Sequence, residues 1–284
     1  MQTLKEAVQA AWEKKIALGH FNLSDSNQFN AVLAAAAAVG TPVLVGVSEG
    51  ERKFFGIRNI AALVKAAREA GIPVYLNADH TYSYEGCVEV IDAGFDSVIF
   101  DGSHLPLEEN IATTKRVVDY ARSKGTGALV EGEIGRIGTS SKLLTALPDD
   151  FDKQMTDPEE AARFVRETGV DMLAPSVGTM HGRIIGGAEP KIDLGRIEAI
   201  RAAAGVPLVL HGGSGSTDDD LRVVGKAGCS VAHINTDIRV AYRKGIEAAL
   251  AADANEIAPY KFLAQGVAEV EKMTEKYIRL FAGM

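Results

Sequence analysis

Eight short apolar segments recur along the 284-residue chain, and stretches with helical spacing of apolar residues lie between them. The apolar segments are continuous rather than alternating, which is typical of parallel strands buried on both faces. This order predicts repeated βα units around a parallel sheet. The predicted strands are Ile16–Phe21, Pro42–Val47, Pro73–Leu76, Ser97–Phe100, Ala128–Glu131, Met172–Ala174, Pro207–Leu210 and Val231–Ile234.

Helical periodicity is clearest between these strands. The helices predicted on this basis include Gln28–Val39, Asn59–Ala70, Leu107–Ser123, Pro158–Glu167 and Asp218–Lys226. The sequence therefore predicts one domain over residues 1–284, a (β/α)₈ TIM barrel with an extra helix at each end. A length of 284 residues suits this fold, which typically needs about 250. A doubly wound open sheet is the alternative that the same alternation allows.

Charge and composition narrow the classes of partner. The net charge of −8 and the pI near 5.4 argue against a broad surface for nucleic acid or anionic membranes, but they permit a local phosphate pocket. The N-terminal residues lack the pattern of a signal peptide, and no apolar stretch is long enough to span a bilayer. Cys87 and Cys229 have no metal-type spacing and are expected to stay reduced. We therefore expect a cytoplasmic protein with neither nucleic-acid nor membrane partners.

The histidines follow the predicted strands. Each of the six lies at or just beyond the carboxyl end of a strand, and none lies in a helix: His20, His80, His104, His181, His211 and His233. In a parallel barrel these ends form one rim, where active sites are built. His20 lies within the first predicted strand and is interpreted as a bystander.

The segment "NADHTYSYEG" places Asp79 beside His80 directly after an apolar strand, so the two residues either cap a turn or take part in chemistry. His181 in "GTMHG" and His211 in "LHGGSG" follow two other strands. Imidazoles from three strands can converge on one divalent ion and leave a coordination position open, as in catalytic zinc sites. Because the three residues are far apart in sequence, their spacing alone does not prove that they converge.

Two further signals lie on the same rim. The glycines of "HGGSG" can offer backbone N–H groups to a phosphate, and Asn235 and Thr236 of "HINTD" could complete such a pocket; a tight turn with a helix cap is the alternative. Asp101, Glu131 and Glu133 follow the fourth and fifth strands. These carboxylates could hold a second cation, or they could form a buried ion pair or cap turns.

Five motifs occur in an order and spacing that resemble a known family: "ADH", "GFDSVIFDGSHLPLEENIATTKRVVDYA", "VEGEIG", "DPEEAARFVRETGVDMLAPSVGTMHG" and "PLVLHGGSG". They are similar to the class II, metal-dependent ketose-bisphosphate aldolases. The resemblance begins at "GHFNLSDSNQFN" and continues almost to the C-terminus. It implies the (β/α)₈ barrel, a sugar-phosphate substrate and a homodimer or homotetramer.

The resemblance also implies roles for individual residues. It assigns the catalytic Zn²⁺ to His80, His181 and His211, and the acid/base to Asp79. It places Asp101 and Glu133 where a second divalent or monovalent cation is held or the first is supported. The residues that match the phosphate-binding positions are Gly182, Gly212, Gly213 and Ser214, and those that match substrate-side positions more loosely are Asn22 and Ser48.

These roles form a consistent aldol chemistry. Zn²⁺ polarises the ketone and stabilises the enediolate that cleavage leaves, while Asp79 takes the proton of the hydroxyl next to the breaking bond. A lysine Schiff base is the other known solution, but strands four to seven carry no lysine that we expect to be buried.

Three segments depart from the family pattern. "GTSSKLL" places Ser141 where the family has a loop glutamate that moves the enediolate proton. "VAHINTD" aligns His233 with a phosphate-side asparagine, and a gap would be needed to align Asn235 instead. "APYKF" lacks the arginine associated with the distal phosphate.

The irregular segment from Gly138 to Thr156 is predicted to be a mobile functional loop. We expect a loop carboxylate to replace the missing glutamate, and the candidates are Asp149, Asp150 and Asp152. The alternative is that His233 or water moves this proton.

The function predicted from these residues is zinc-dependent cleavage of a phosphorylated ketose to dihydroxyacetone phosphate and an aldehyde. Fructose 1,6-bisphosphate is the default substrate, which would yield glyceraldehyde 3-phosphate, and tagatose 1,6-bisphosphate is the second candidate. A singly phosphorylated, acidic sugar is a further alternative. Outside the lyases, a metal-dependent hydrolase or a non-catalytic sugar-phosphate sensor would use a similar rim.

Overall fold

A computed structural model describes residues 2–138, 142–145, 155–185 and 191–284. Within these ranges, eight parallel strands close into a barrel in the order β1-β10-β9-β7-β5-β4-β3-β2. The barrel strands are β1 Leu18–Asn22, β2 Val43–Val47, β3 Val74–Thr81, β4 Ser97–Phe100, β5 Leu129–Ile134, β7 Met172–Pro175, β9 Leu208–Leu210 and β10 Cys229–Ile234. A separate parallel pair is formed by β6 Leu143–Leu144 and β8 Arg183–Ile184.

Helices connect the strands and flank both ends of the chain. Their bounds are α1 Leu4–Lys14, α2 Ser26–Val39, α3 Glu49–Phe55, α4 Ile57–Glu69, α5 Tyr84–Asp92, α6 Leu107–Lys124, α7 Pro158–Thr168, α8 Leu194–Ala204, α9 Asp218–Ala227, α10 Thr236–Ala252, α11 Pro259–Phe262 and α12 Ala264–Phe281. Side-chain caps fix several starts: Asp25 accepts from the N–H groups of Asn27 and Gln28, and Asp157 caps α7 in the same way.

Two apolar layers hold the barrel together. The outer layer lies between strands and helices and contains large side chains such as Phe100 and Phe164. The inner layer fills the amino-terminal end of the barrel, where Leu18, Leu44 and Tyr75 pack with the apolar face of α1. Because this end is filled with apolar side chains and covered by a helix, the polar interior is left to the carboxyl end.

The predicted TIM barrel with additional terminal helices is confirmed. The strand boundaries differ most at β3, which continues to Thr81 instead of ending at Leu76. Helix α3 was not expected. The pair β6–β8 was not expected either, since two-residue strands are too short to show periodicity. None of the helices in the described ranges is long and apolar enough to cross a membrane.

Candidate functional site

A polar cleft opens at the carboxyl ends of the barrel strands, with a volume of about 180 Å³. Its walls come from six of the eight barrel strands or the segments that follow them. The lining residues are Asn22, Ser48, Asp79, His80, Tyr82, His181, Gly182, His211, Gly212, Ser214, His233, Asn235, Thr236 and Arg239. Most of the predicted site residues therefore lie together.

A bulge at the end of β3 sets the directions of Asp79 and His80. On a regular strand, successive side chains point to opposite faces. Here Ala78 pairs with Val98 and Thr81 with Phe100, so β3 contains one extra residue relative to β4. His80 has a left-handed backbone with φ 70°. The bulge turns His80 to the interior, where Asp79 already points.

Both residues are buried, with 4% of Asp79 and 7% of His80 exposed. The interpretation that they lie beyond the end of a strand is therefore wrong. They belong to the strand, which continues beyond its apolar residues because the barrel interior at this depth is polar.

Three imidazoles meet beside this bulge. One ring nitrogen from each of His80, His181 and His211 lies within 4.8 Å of the other two. Nε2 of His80 is 3.1 Å from Nδ1 of His211, and the His181 ring lies edge-on to His80 at 4.8 Å between centroids. Ligands of a tetrahedral Zn²⁺ at 2.0–2.1 Å are roughly 3.3 Å apart, so this spacing suits one ion.

Carboxylates fix the outer nitrogens of two of these rings. Nδ1 of His80 donates to Oδ2 of Asp101 at 2.9 Å, and Nε2 of His211 donates to Oε1 of Glu131 at 2.8 Å. Each inner nitrogen is then left with a lone pair directed at the shared centre. Two facing lone pairs 3.1 Å apart repel unless a proton or a cation lies between them. The residues present therefore fit a bound metal ion.

Burial and neighbouring charges shift the pKa values of His80 and His181 in opposite directions. Burial alone would lower the pKa of His80, but the carboxylates of Asp79, Asp101 and Glu133 raise it to about 10. Burial, together with the neighbouring imidazoles, lowers the pKa of His181 to about 3. Without a metal, His80 therefore carries the proton that lies in the cluster, whereas His181 stays neutral.

Glu133 is the carboxylate without a hydrogen-bond partner. It is fully buried, neither carboxylate oxygen is hydrogen-bonded, and Oε2 lies 3.6 Å from Nδ1 of His80. Burial and the charge of Asp101 raise the pKa of Glu133 well above 4.5. Such a group is stabilised by a proton or by a second cation.

The two oxygens of Asp79 have different neighbours. Oδ2 accepts a hydrogen bond from Nδ2 of Asn22 at 2.8 Å. Oδ1 has no hydrogen bond, although it lies 3.3 Å from Nδ1 of His233 and 3.7 Å from Nε2 of His80. Burial would raise the pKa of Asp79, but the charge of His80 and the His233 imidazole lower it well below 3.8. The carboxylate is thus ionised, with one oxygen available.

Asn22 also links Asp79 to the mouth of the cleft. Its Nδ2 lies 3.0 Å from Oε2 of Glu51, which also accepts from the backbone N–H and hydroxyl of Ser48. Oε1 of Glu51 accepts from Nη2 of Arg239 at 2.6 Å. Glu51 and Arg239 were not predicted from the sequence. Glu51 lies within α3 and Arg239 lies in the first turn of α10, and neither residue belongs to a recognisable motif.

The glycine-rich segment after β9 lies opposite the imidazoles. The hydroxyl of Ser214 accepts from the N–H groups of Asn235 and Asp237, which joins this segment to the start of α10. Gly212 has φ 67° and, with Ser214, lines the cleft, whereas Gly213 lies behind it and donates to the carbonyl of His233 at 3.3 Å. Helix starts and glycine turns of this kind bind anions.

His233 lies within β10 and lines the cleft. Asn235, the residue before α10, also lines the cleft. Within the described residues, no lysine lines the cleft. His104 lies elsewhere on the rim, with its ring 6.1 Å from that of Tyr82. Tyr82 was not predicted to line the cleft.

Part of the loop prediction falls outside the described residues. Ser141 and the candidate carboxylates Asp149, Asp150 and Asp152 lie in the ranges that the structure does not describe. The "APYKF" segment forms α11, where Lys261 pairs with Glu256 on the surface.

Comparisons with known proteins agree with this geometry. The family model described as fructose-bisphosphate aldolase class-II matches residues 2–283. A fructose-bisphosphate aldolase of Geobacillus stearothermophilus is 37% identical over 268 residues, covering 93% of this chain and 91% of that protein. A probable fructose-bisphosphate aldolase of Bacillus subtilis (strain 168) is also 37% identical, over 92% of this chain and 90% of that protein.

Solved structures extend the likeness to three dimensions. The YdjI aldolase of Escherichia coli K12 superposes with a TM-score of 0.83 at 28% sequence identity, covering 98% of this chain and 96% of the other. A fructose-bisphosphate aldolase of Campylobacter jejuni, 22% identical, has the same fold with a TM-score of 0.81 over 99% and 94% of the two chains. From these matches, the chain belongs to the class II fructose-bisphosphate aldolase family and is an aldolase, a carbon–carbon lyase.

Proposed function

We propose that the protein is a zinc-dependent aldolase that reversibly cleaves a ketose 1,6-bisphosphate, with fructose 1,6-bisphosphate as the default substrate. The products would be dihydroxyacetone phosphate and glyceraldehyde 3-phosphate. The observation that carries the proposal is the convergence of the inner nitrogens of His80, His181 and His211 beside the free oxygen of Asp79. The family is metal-dependent, and imidazole ligands favour Zn²⁺.

The three imidazoles would hold the ion, and Asp101 and Glu131 would orient the rings of His80 and His211 by accepting hydrogen bonds from their outer nitrogens. Zn²⁺ held there would supply the Lewis acid that draws electron density from the substrate ketone. Glu133, buried without a hydrogen bond, is the candidate for a second cation together with Asp101.

Asp79 would move the proton of the reacting hydroxyl. In cleavage, Oδ1 accepts this proton as the carbon–carbon bond breaks, and in condensation the same oxygen returns it to the aldehyde oxygen. Asn22 keeps Oδ2 occupied, so the oxygen near His80 is the one that is available. The low pKa of Asp79 supports this role, because the carboxylate is ionised before the substrate binds.

The phosphate on the ketone side would bind between two backbone segments. Gly212 and Ser214 form one side, with Gly213 behind them, and Asn235 and Thr236 at the start of α10 form the other. Gly182 would contribute from beside His181. The carboxyl ends of the seventh and eighth strands commonly bind phosphate in barrels of this type.

One observation bears on the far end of the substrate. Among the described residues, Arg239 is the only arginine or lysine that lines the cleft, and its side chain is 39% exposed. A second phosphate or a carboxylate could pair with it. Tagatose 1,6-bisphosphate and a singly phosphorylated, acidic ketose are therefore the other candidate substrates.

A coupled assay for dihydroxyacetone phosphate tests the proposal. Purified protein should cleave fructose 1,6-bisphosphate, lose this activity with a chelator and regain it with added Zn²⁺. Activity that survives removal of the metal would exclude the proposed mechanism. Release of inorganic phosphate without triose phosphate would instead indicate a hydrolase, and binding without turnover would indicate a sensor.

We also propose a cytoplasmic location, a place in glycolysis and other carbohydrate metabolism, and a homodimer or homotetramer formed by a single barrel domain over residues 1–284. The resemblance to the family supports these proposals. Light scattering on the purified protein measures the oligomeric state.

A further inference from the structure

At the base of the cleft lies a pair of histidines that the proposed metal site does not use. His20, in the middle of β1, pairs in register with His233 on β10, and both residues are buried. Their rings stack face to face, with 3.4 Å between centroids and 3° between planes. Such close, parallel stacking restricts how either ring can turn.

The space for His20 is created by a glycine on the neighbouring strand. A methyl group added at Gly46 would lie 2.1 Å from Cε1 of His20, so any larger residue there would displace the ring. Nε2 of His20 accepts a hydrogen bond from Nδ2 of Asn77 at 3.1 Å, and Oδ1 of Asn77 accepts from the hydroxyl of Ser97 at 3.0 Å. Ser97 fixes the orientation of the Asn77 amide, and this amide in turn fixes the orientation of the His20 ring.

His233 lies between His20 and the cluster of imidazoles. One face packs on His20, and the His211 ring lies 4.0 Å away on a tilt of 38°. In this position Nδ1 of His233 lies 3.3 Å from Oδ1 of Asp79. If the His233 ring tilted out of this plane, Nδ1 would move away from that oxygen.

We infer that His20 is a positioning residue for aldol cleavage: stacked on His233, it keeps Nδ1 of His233 beside Oδ1 of Asp79. This inference rests on the proposed function, because it assumes that Asp79 moves the substrate proton. Asn22 holds one oxygen of Asp79 at 2.8 Å, and His233 sets the surroundings of the other. Asn22 and His233 therefore contact the two oxygens of Asp79 from different sides and together set the orientation of the carboxylate.

The test compares two apolar substitutions, His20→Phe and His20→Leu. Both lose the hydrogen bond from Asn77, but only phenylalanine keeps a flat face for His233. The kcat of the Phe variant should exceed that of the Leu variant at least tenfold, within the roughly 10²-fold that a misplaced catalytic group costs. KM and zinc content should be equal in the two variants. If His20→Leu does not fold, His20→Met replaces it, since methionine adapts to irregular space without a flat face.

A second comparison shows whether His20 acts through His233. In a His233→Ala background, the difference in kcat between the Phe and Leu variants should disappear, because the residue that transmits it is gone. Equal kcat values in the single variants, or a difference that persists in this background, would overturn the inference.

Crystal structures of the two single variants provide a readout that does not depend on the substrate. The contact between His233 and Asp79 at 3.3 Å should remain in the Phe variant and be lost in the Leu variant. If the wild-type protein cleaves no ketose phosphate, the proposed function fails, while these structures still decide whether His20 positions His233. Unchanged contacts in both structures would refute the positioning.

Discussion

Oδ1 of Asp79 lies 3.7 Å from Nε2 of His80, one residue along the same strand, while Oδ2 accepts a hydrogen bond from Asn22. The oxygen without a hydrogen bond is therefore the one that faces the candidate metal centre. The two adjacent residues therefore have separate roles: His80 offers a nitrogen to the ion, and Asp79 keeps an oxygen for the substrate.

Replacing Asp79 by asparagine tests that separation. Asp79→Asn keeps the size of the side chain but removes the base, so kcat should fall by roughly 10²–10⁴-fold. The affinities for zinc and phosphate should fall far less than kcat, because Asp79 is a ligand of neither. Steady-state kinetics with metal analysis measure both, and near-normal turnover would leave Asp79 with a structural role only.

The metal ligands have a matched control on the same rim. His181→Ala should weaken zinc binding by more than the roughly 10–100-fold that loss of an outer-shell partner costs. His104→Ala should leave zinc binding unchanged, because the His104 ring packs near Tyr82 rather than in the cluster. Competition with a chelating dye gives both affinities. Equal losses in the two variants would contradict the assignment of His181.

The raised pKa of His80 predicts a proton count. With a pKa of about 10, His80 is protonated in the metal-free protein at pH 8, and a bound ion must displace that proton. Zinc binding at pH 8 should therefore release about one proton per ion from this ring. Titration in weakly buffered solution with a pH indicator measures it. Asp101→Asn should lower the pKa of His80 and reduce the release.

The same shift predicts how stability depends on pH. The folded-state pKa of His80 lies above the ordinary value of 6.5, so its contribution to the free energy of unfolding is complete below pH 6.5. That contribution is lost as the pH rises towards 10. Urea unfolding of the protein after removal of metal by a chelator should show this loss of stability. The loss should disappear when zinc is bound.

Arg239 should affect the far end of the substrate. Arg239→Met should lower kcat/KM more for a ketose bisphosphate than for the matching monophosphate, because only the former carries the group that Arg239 would pair with. Arg243→Met, on the exposed side of the same helix, is the control, since Arg243 pairs with Glu247. An equal loss for both substrates would show that Arg239 only holds Glu51.

Gly46 and Gly50 form a second matched pair. Gly46→Ala should destabilise the protein by about 1–3 kcal/mol, as overpacking of a filled core does. Gly50→Ala lies in α3 with open space around it and should be neutral or stabilising. Urea unfolding of both variants gives the difference.

The periodicity of the chain was sufficient to predict the barrel, because each buried strand is apolar on both faces and each helix carries one apolar stripe. It failed at the end of β3, where polar residues continue the ladder. Asp79 and His80 break the apolar pattern while the backbone still pairs, since the interior at that depth is polar.

The site was predicted as far as its residues carry motifs. Histidines after strands and the "HGGSG" turn could be found in the sequence, but the partners that orient them could not. Glu51 and Arg239 meet across 188 residues, and Glu131 meets His211 across 80. Such contacts depend on strand register and helix rotation, which a single sequence does not specify. His20 was taken for a bystander because its stacking partner is more than 200 residues away.

The bulge in β3 has a consequence for how the protein can fluctuate. The bulge places the proton acceptor and a metal ligand on consecutive residues that face the same interior, so tilting of the strand end moves the two side chains together. Their separation is then insensitive to breathing of the barrel, whereas their distance from the glycine-rich segment across the cleft is not. Slow motions of this rim should therefore modulate how tightly the phosphate is held while leaving the reactive pair in register.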